Sequence, residues 1–188
     1  SMISARFLSR STSLIIISVN SAYCGSFRLR ASSWVAPLIP ASGFFILDEV
    51  PDGKNLWLMA TGTGIGPYLS MLGTDIPWQR FSAIVLLHSV RYAAELVYQP
   101  LISQWRQRYG AQLHYQPIVT REAKADALQQ RIPELIQTGA LQQACGQSLD
   151  QESQVLLCGN PQMINETRAV LERLGLRKNL RRDPGQIT

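Results

Sequence analysis

From residue 41 onward, apolar residues gather in short unbroken runs separated by stretches of helical spacing. Residues 56–60 (Leu-Trp-Leu-Met-Ala), 83–88 and 155–158 read as strands with no polar face, and 113–119 reads as a further parallel strand. A strand apolar on both sides belongs in a sheet covered by helices on both faces, whereas a half-wet sheet would show alternation. The intervening segments supply those helices. One opens at Pro67 and carries Tyr68, Leu69, Met71 and Leu72; others are expected near 93–109, over 131–138 and over 161–174. Pro133 and Pro161 suit first helical turns, and Gly139 and Gly175 stand where helices stop. Ahead of the first strand, Gly43-Phe44-Phe45-Ile46-Leu47 is an apolar run leading into a Pro51-Asp52-Gly53 turn. The alternation predicts an α/β fold, a doubly wound parallel sheet, over residues 41–188.

Residues 1–40 have a different character, rich in Ser and Arg, and are expected to form an atypical N-terminal segment. Ser1 ahead of Met2 reads as a remnant of tag removal. The apolar run at 14–19 is too short for a signal peptide, and Tyr23 before Cys24 does not suit a lipoprotein cleavage site. It reads as a short buried strand. No stretch approaches the ~20 apolar residues that a membrane-spanning helix needs.

Composition narrows the classes. A 188-residue chain buries roughly 70% of its unfolded surface and needs no covalent staples. Its three cysteines, Cys24, Cys145 and Cys158, form no close pair, and His88 and His114 are its two histidines. A disulfide framework and a metal site are both disfavoured, and a reducing cytoplasm is the expected setting. The net charge of +5 comes mostly from Arg6, Arg10, Arg28 and Arg30, since residues 41–188 are nearly neutral. A nucleic-acid or membrane-surface role would rest on the charged ends alone, including Arg173, Arg177, Lys178, Arg181 and Arg182.

The chemistry concentrates after the first strand, in Ala60-Thr61-Gly62-Thr63-Gly64-Ile65-Gly66-Pro67. Glycines admit positive φ and bring backbone N–H groups close to a ligand. A helix beginning there adds free donors and a partial positive charge, which suits a pyrophosphate. Thr61 and Thr63 add hydroxyl donors, and Pro67 forfeits no hydrogen bond in a first turn. The segment is neither G-x-G-x-x-G nor a Walker loop, so a plain strand-to-helix turn stays open on spacing alone.

Three ordered segments together resemble bacterial ferredoxin (flavodoxin)–NADP reductase: Gly43-Phe44-Phe45, Ala60 through Tyr68 as A-T-G-T-G-I-G-P-Y, and Leu157-Cys158-Gly159-Asn160-Pro161-Gln162-Met163. The resemblance covers residues 41–188 and implies that family's NADP-binding domain, which follows an FAD-binding β-barrel. It implies hydride transfer between NADPH and FAD, with electrons exchanged with ferredoxin or flavodoxin. It further implies that Thr61, Gly62, Thr63, Gly64, Gly66 and Pro67 hold the pyrophosphate and nicotinamide side. Ser89, Arg91, Arg121 and Arg131 would then meet the adenosine and its 2′-phosphate. Guanidinium forks suit a dianionic phosphate, and the acid that binds a ribose 2′-hydroxyl in NAD-specific proteins is missing directly after the second strand. Cys158, with Gly159, Asn160 and Pro161, would border the nicotinamide as a lining residue and not as a nucleophile.

The chain departs from the family pattern in two places. Residues 1–40 lack the Arg-x-Tyr-Ser flavin motif, and the chain ends at Thr188 without the family's terminal aromatic. Little FAD retention is therefore expected, either because the flavin region is truncated or misread or because the flavin comes from a partner. A non-catalytic nucleotide-binding module is the alternative reading.

Overall fold

The computed structural model describes residues 47–188, which fall within one compact unit, Ala41–Thr188. The expectations for residues 1–40, for the strand at 14–19 and for Gly43-Phe44-Phe45 lie outside the described residues.

Four parallel strands form one sheet: β1 (Asn55–Thr61), β2 (Ala83–Val90), β3 (Leu113–Val119) and β4 (Ser153–Cys158), in the order β3-β2-β1-β4. β1 pairs with β2 from Asn55↔Ala83 to Thr61↔Ser89, and with β4 from Asn55↔Ser153 to Ala60↔Cys158. Among the described residues six α-helices flank the sheet: α1 (Gly66–Leu72), α2 (Ile76–Arg80), α3 (Gln99–Tyr109), α4 (Ile132–Gln137), α5 (Ala140–Cys145) and α6 (Pro161–Arg173). Chain order runs outward from β1 to β3 and then returns to β4 on the other side of β1. The sheet's switch point therefore lies between β1 and β4.

The unbroken apolar strands divide by parity between two cores. Trp57, Met59, Val85, Leu87, Val155 and Leu157 pack against residues of α4, α5 and α6, such as Leu135, Leu141 and Val170. Leu56, Leu58, Ala60, Ile84, Leu86 and Leu156 pack against Tyr68, Leu72, Trp78 and Ile102 on the opposite face. Each fully buried large side chain contributes about 1.5–3 kcal/mol. Trp57 keeps its polar end satisfied, with Nε1 donating to the Ser148 carbonyl at 3.2 Å. The doubly wound expectation holds.

Some boundaries differ from the sequence reading. Residues 93–109 are not one helix: a 3-10 turn at Ala93–Glu95 precedes α3, which begins at Gln99. Pro100 explains the break, because its ring would clash with the carbonyl of residue 96 inside a continuous helix. A 3-10 turn, Gly62–Ile65, also intervenes between β1 and α1. Helices α2 and α5 were not predicted; each is too short to show a period. The edge of β4 is covered, since Val155 and Leu157 N–H donate to the Gln186 and Thr188 carbonyls. No helix among the described residues is long and apolar enough to cross a membrane.

Candidate functional site

Because all four strands run parallel, their C-terminal ends open on one side, and the loops leaving them share one cleft of about 1090 Å³. β1 contributes Thr61, Gly62, Thr63 and Gly64, with Pro67 from α1; β2 contributes Ser89 and, just beyond it, Arg91; β3 is followed by Arg121; and Arg131 stands at the head of α4. Cys158 at the end of β4, followed by Gly159 and Asn160, completes the wall. Gly66 and Pro161 are the first residues of α1 and α6 and are not part of its wall. A smaller hollow of about 660 Å³ near Leu128 and Leu135 carries one charged side chain, Lys124, and none of the strand-end glycines.

The two loops at the switch point are locked together. Thr61 Oγ1 accepts the Asn160 N–H at 2.8 Å, and Asn160 Oδ1 accepts the Gln162 N–H at 2.8 Å, capping α6. This contact decides which glycines are needed for what. A Cβ on Gly64 would lie 2.6 Å from the Cys158 carbonyl oxygen, and one on Gly159 would collide with the Thr61 side chain. Their missing side chains let β1 and β4 approach each other. Gly62 has φ +54°, whereas a Cβ at Gly66 would meet nothing within 4 Å. Gly64 and Gly159 thus make room for each other's loops.

Backbone bonds also tie the β2 and β3 loops. The Thr120 and Arg121 N–H groups donate to the Val90 and Arg91 carbonyls at 3.0 and 2.9 Å. Arg91, Arg121 and Arg131 are all exposed. Among the described residues Arg91 and Arg121 form no ion pair, whereas Arg131 Nη2 lies 3.0 Å from Glu166 Oε2 on α6. Glu166 also accepts from Gln162 Nε2 at 2.7 Å. Removing this carboxylate should release Arg131 for an incoming anion. Glu166→Gln is therefore expected to tighten 2′-phospho-AMP by a few tenths to about 1 kcal/mol, the usual worth of an exposed pair. Unchanged or weaker binding in a calorimetric titration would show that the pair positions Arg131 instead of restraining it.

Sequence reading missed the acids at this rim. Glu95 lines the cleft, yet its Oε1 accepts the Arg91 and Tyr92 N–H groups at 3.1 and 2.8 Å. Glu122 Oε1 accepts the Ala93 N–H. Both carboxylates are committed to shaping loops, so their nearness to the arginines does not supply the free acid that a ribose 2′-hydroxyl would require. Nothing local marked Glu95, Glu122 or Glu166, since Tyr92 is not the Ser or Thr that opens a capping box.

Cys158 is half-buried, and burial pushes its thiol above the usual cysteine range. A protonated thiol is a poor nucleophile, so the side chain can border a ligand without attacking it. His88, at the end of β2, is 2% exposed. Its Nε2 lies 3.0 Å from the Gly62 carbonyl oxygen. Burial is the largest influence on His88 and lowers its proton affinity below the ordinary 6.5, with the Gly62 bond and Glu95 opposing. The unfolded chain therefore takes up this proton first as pH falls. The stability that His88 contributes is complete above pH 6.5 and declines as pH drops from there toward the lowered folded value. Urea midpoints at pH of about 7.5 and 5.5 should differ in this direction, and His88→Gln should shrink the difference. An undiminished difference would assign it to other groups.

A doubly wound sheet with a glycine turn at its switch point and arginines along the neighbouring loops defines a nucleotide-binding α/β domain. Residues 58–169 match the oxidoreductase NAD-binding domain model, and the chain belongs to that family. It is 47% identical over 141 residues to flavodoxin/ferredoxin–NADP reductase of Shigella flexneri, covering 74% of this chain and 57% of the relative. The Escherichia coli K12 flavodoxin/ferredoxin–NADP reductase is 46% identical over the same shares of the two chains. A ferredoxin NADP+ reductase from Neisseria gonorrhoeae, solved with bound FAD and NADP, superimposes with a TM-score of 0.73 at 35% identity. That match covers 78% of this chain and 59% of the other. The chain spans a little over half the length of these relatives, matching their NADP-binding part.

Proposed function

We propose that residues 41–188 bind NADP(H) and present its nicotinamide for hydride exchange with FAD, as the nucleotide half of a ferredoxin/flavodoxin–NADP reductase. One observation carries the reading: loops from four consecutive strand ends place the glycine turn, Arg91, Arg121, Arg131 and Cys158 around a single cleft. The residues fit the dinucleotide from end to end. The turn at 62–65 offers backbone amides to the pyrophosphate. The exposed arginines offer paired donors to the 2′-phosphate. Thr61, locked to Asn160, fixes the floor where the nicotinamide would lie, with the protonated Cys158 thiol beside it.

NADP(H), when bound, supplies the hydride. The protein's part is to orient the nicotinamide ring and exclude water, a proximity contribution. In the relatives' names the electron partner is ferredoxin or flavodoxin, and we extend that partner class to this protein. FAD retention by residues 1–40, expected to be slight, falls outside the described residues. An equilibrium titration with NADP+ and NAD+ tests the proposal. NADP+ should bind at least about tenfold more tightly, the worth of one charge-assisted bond. Equal affinities would remove the 2′-phosphate role, and binding of neither would remove the dinucleotide site.

A further inference from the structure

We infer that His88 is the positioning residue of the glycine turn, holding the Gly62 peptide in the orientation that receives a dinucleotide's pyrophosphate. The inference rests on the dinucleotide reading and adds a residue outside the cleft wall to it.

Register places His88 beside Ala60 of β1 and Pro117 of β3, three residues before Arg91. Its ring lies beneath the turn, with the Tyr98 ring 6.5 Å away at the head of α3. The Gly62 carbonyl can only accept, so Nε2 of His88 must carry the proton and donate across the 3.0 Å contact. Nδ1 is buried without a partner among the described residues. A second proton there would be a donor with no acceptor, and burial likewise disfavours it. The ring is therefore neutral, with its tautomer set by Gly62.

What this bond controls follows from peptide planarity. The Gly62 carbonyl and the Thr63 N–H belong to one planar trans unit and point in opposite directions. Fixing the carbonyl onto His88 directs the Thr63 amide to the opposite side, and Thr63 is an exposed residue of the cleft wall. At Gly62 such a restraint adds to that of the 3-10 turn. With φ +54° and no neighbour within 4 Å of where a Cβ would stand, a glycine there has access to both hands of backbone conformation. A flipped peptide would present a carbonyl dipole to an anionic phosphate instead of an N–H. The bland reading is a core histidine whose hydrogen bond serves folding alone; that role would not discriminate between ligands.

Discrimination is the test. NADP+ spans the turn and the arginines, whereas adenosine 2′-monophosphate carries the 2′-phosphate but no pyrophosphate. In calorimetric titrations of the full chain, His88→Leu should weaken NADP+ by about tenfold, the cost of roughly one misdirected amide donor. The same variant should leave adenosine 2′-monophosphate unchanged. His88→Gln, whose amide reaches the place of Nε2, should restore most of the loss. If His88→Leu does not fold, His88→Asn against His88→Gln carries the same comparison, because the shorter amide cannot reach Gly62. Parallel weakening of both ligands, or unchanged NADP+ binding in a folded His88→Leu or His88→Asn, overturns the inference. A wild-type chain that binds adenosine 2′-monophosphate but not NADP+ also overturns it. Binding of neither ligand by the wild type would mark failure of the dinucleotide reading itself.

Discussion

Gly159→Ala should destabilise the protein by about 2–4 kcal/mol, the combined cost of a glycine-only backbone region and an overpacked contact. Gly159 has φ +132°, and a Cβ there would strike the Thr61 side chain and come within 2.9 Å of its carbonyl oxygen. Those atoms cannot retreat easily. Thr61 ends β1, held between β2 and β4, and its Oγ1 is already engaged by the Asn160 N–H. The substitution therefore forces apart the two loops at the switch point, and NADP+ affinity should fall with stability. Gly66→Ala is the control. Gly66 has φ −51° and ψ −51° with open space beyond it, so alanine there should leave the urea midpoint unchanged or raise it slightly. A Gly159→Ala protein as stable as Gly66→Ala would mean that the two loops are not packed as described.

Arg131→Ala should weaken NADPH by about 1.5–3 kcal/mol, the range for a hydrogen bond to a charged group, while NADH changes little. Arg121→Ala should act in the same direction with a smaller effect. The asymmetry follows from Glu166. Removing Arg131 deletes a guanidinium and also strips the neutralising partner from a carboxylate 3.0 Å away, which would then repel the 2′-phosphate. No acid is paired with Arg121 among the described residues. Equal losses for NADPH and NADH would place these arginines elsewhere on the dinucleotide. A double variant, Arg131→Ala with Glu166→Gln, should recover part of the loss.

Most of the site could be read from the sequence because its residues sit where strands end. Unbroken runs such as Leu56-Trp57-Leu58-Met59-Ala60 announce strands buried on both faces, and parallel strands deliver their following loops to one side. Thr61–Gly64, Arg91, Arg121 and Cys158–Asn160 could thus be assembled without coordinates. Contacts across long stretches of sequence could not. The bond between Thr61 and Asn160 joins residues 99 apart, and the pairing of Arg131 with Glu166 joins α4 to α6. Neither leaves a local pattern. Pro100 did carry a readable signal against one helix over 93–109. The glycines of the turn were legible as a group but not in their separate duties, which depend on what each absent Cβ would meet. His88 appeared in sequence only as a strand-end polar residue, and its bond to Gly62 exists because register sets β2 beside β1.

The central claim is that one cleft recognises a dinucleotide by its 2′-phosphate, and calorimetric titration with 2′-phospho-AMP against AMP tests it most directly. The two ligands differ by that phosphate alone. Tighter binding of 2′-phospho-AMP by at least about tenfold, lost in Arg131→Ala, is the expected result. Indistinguishable affinities, or a preference that survives loss of both Arg121 and Arg131, would contradict it.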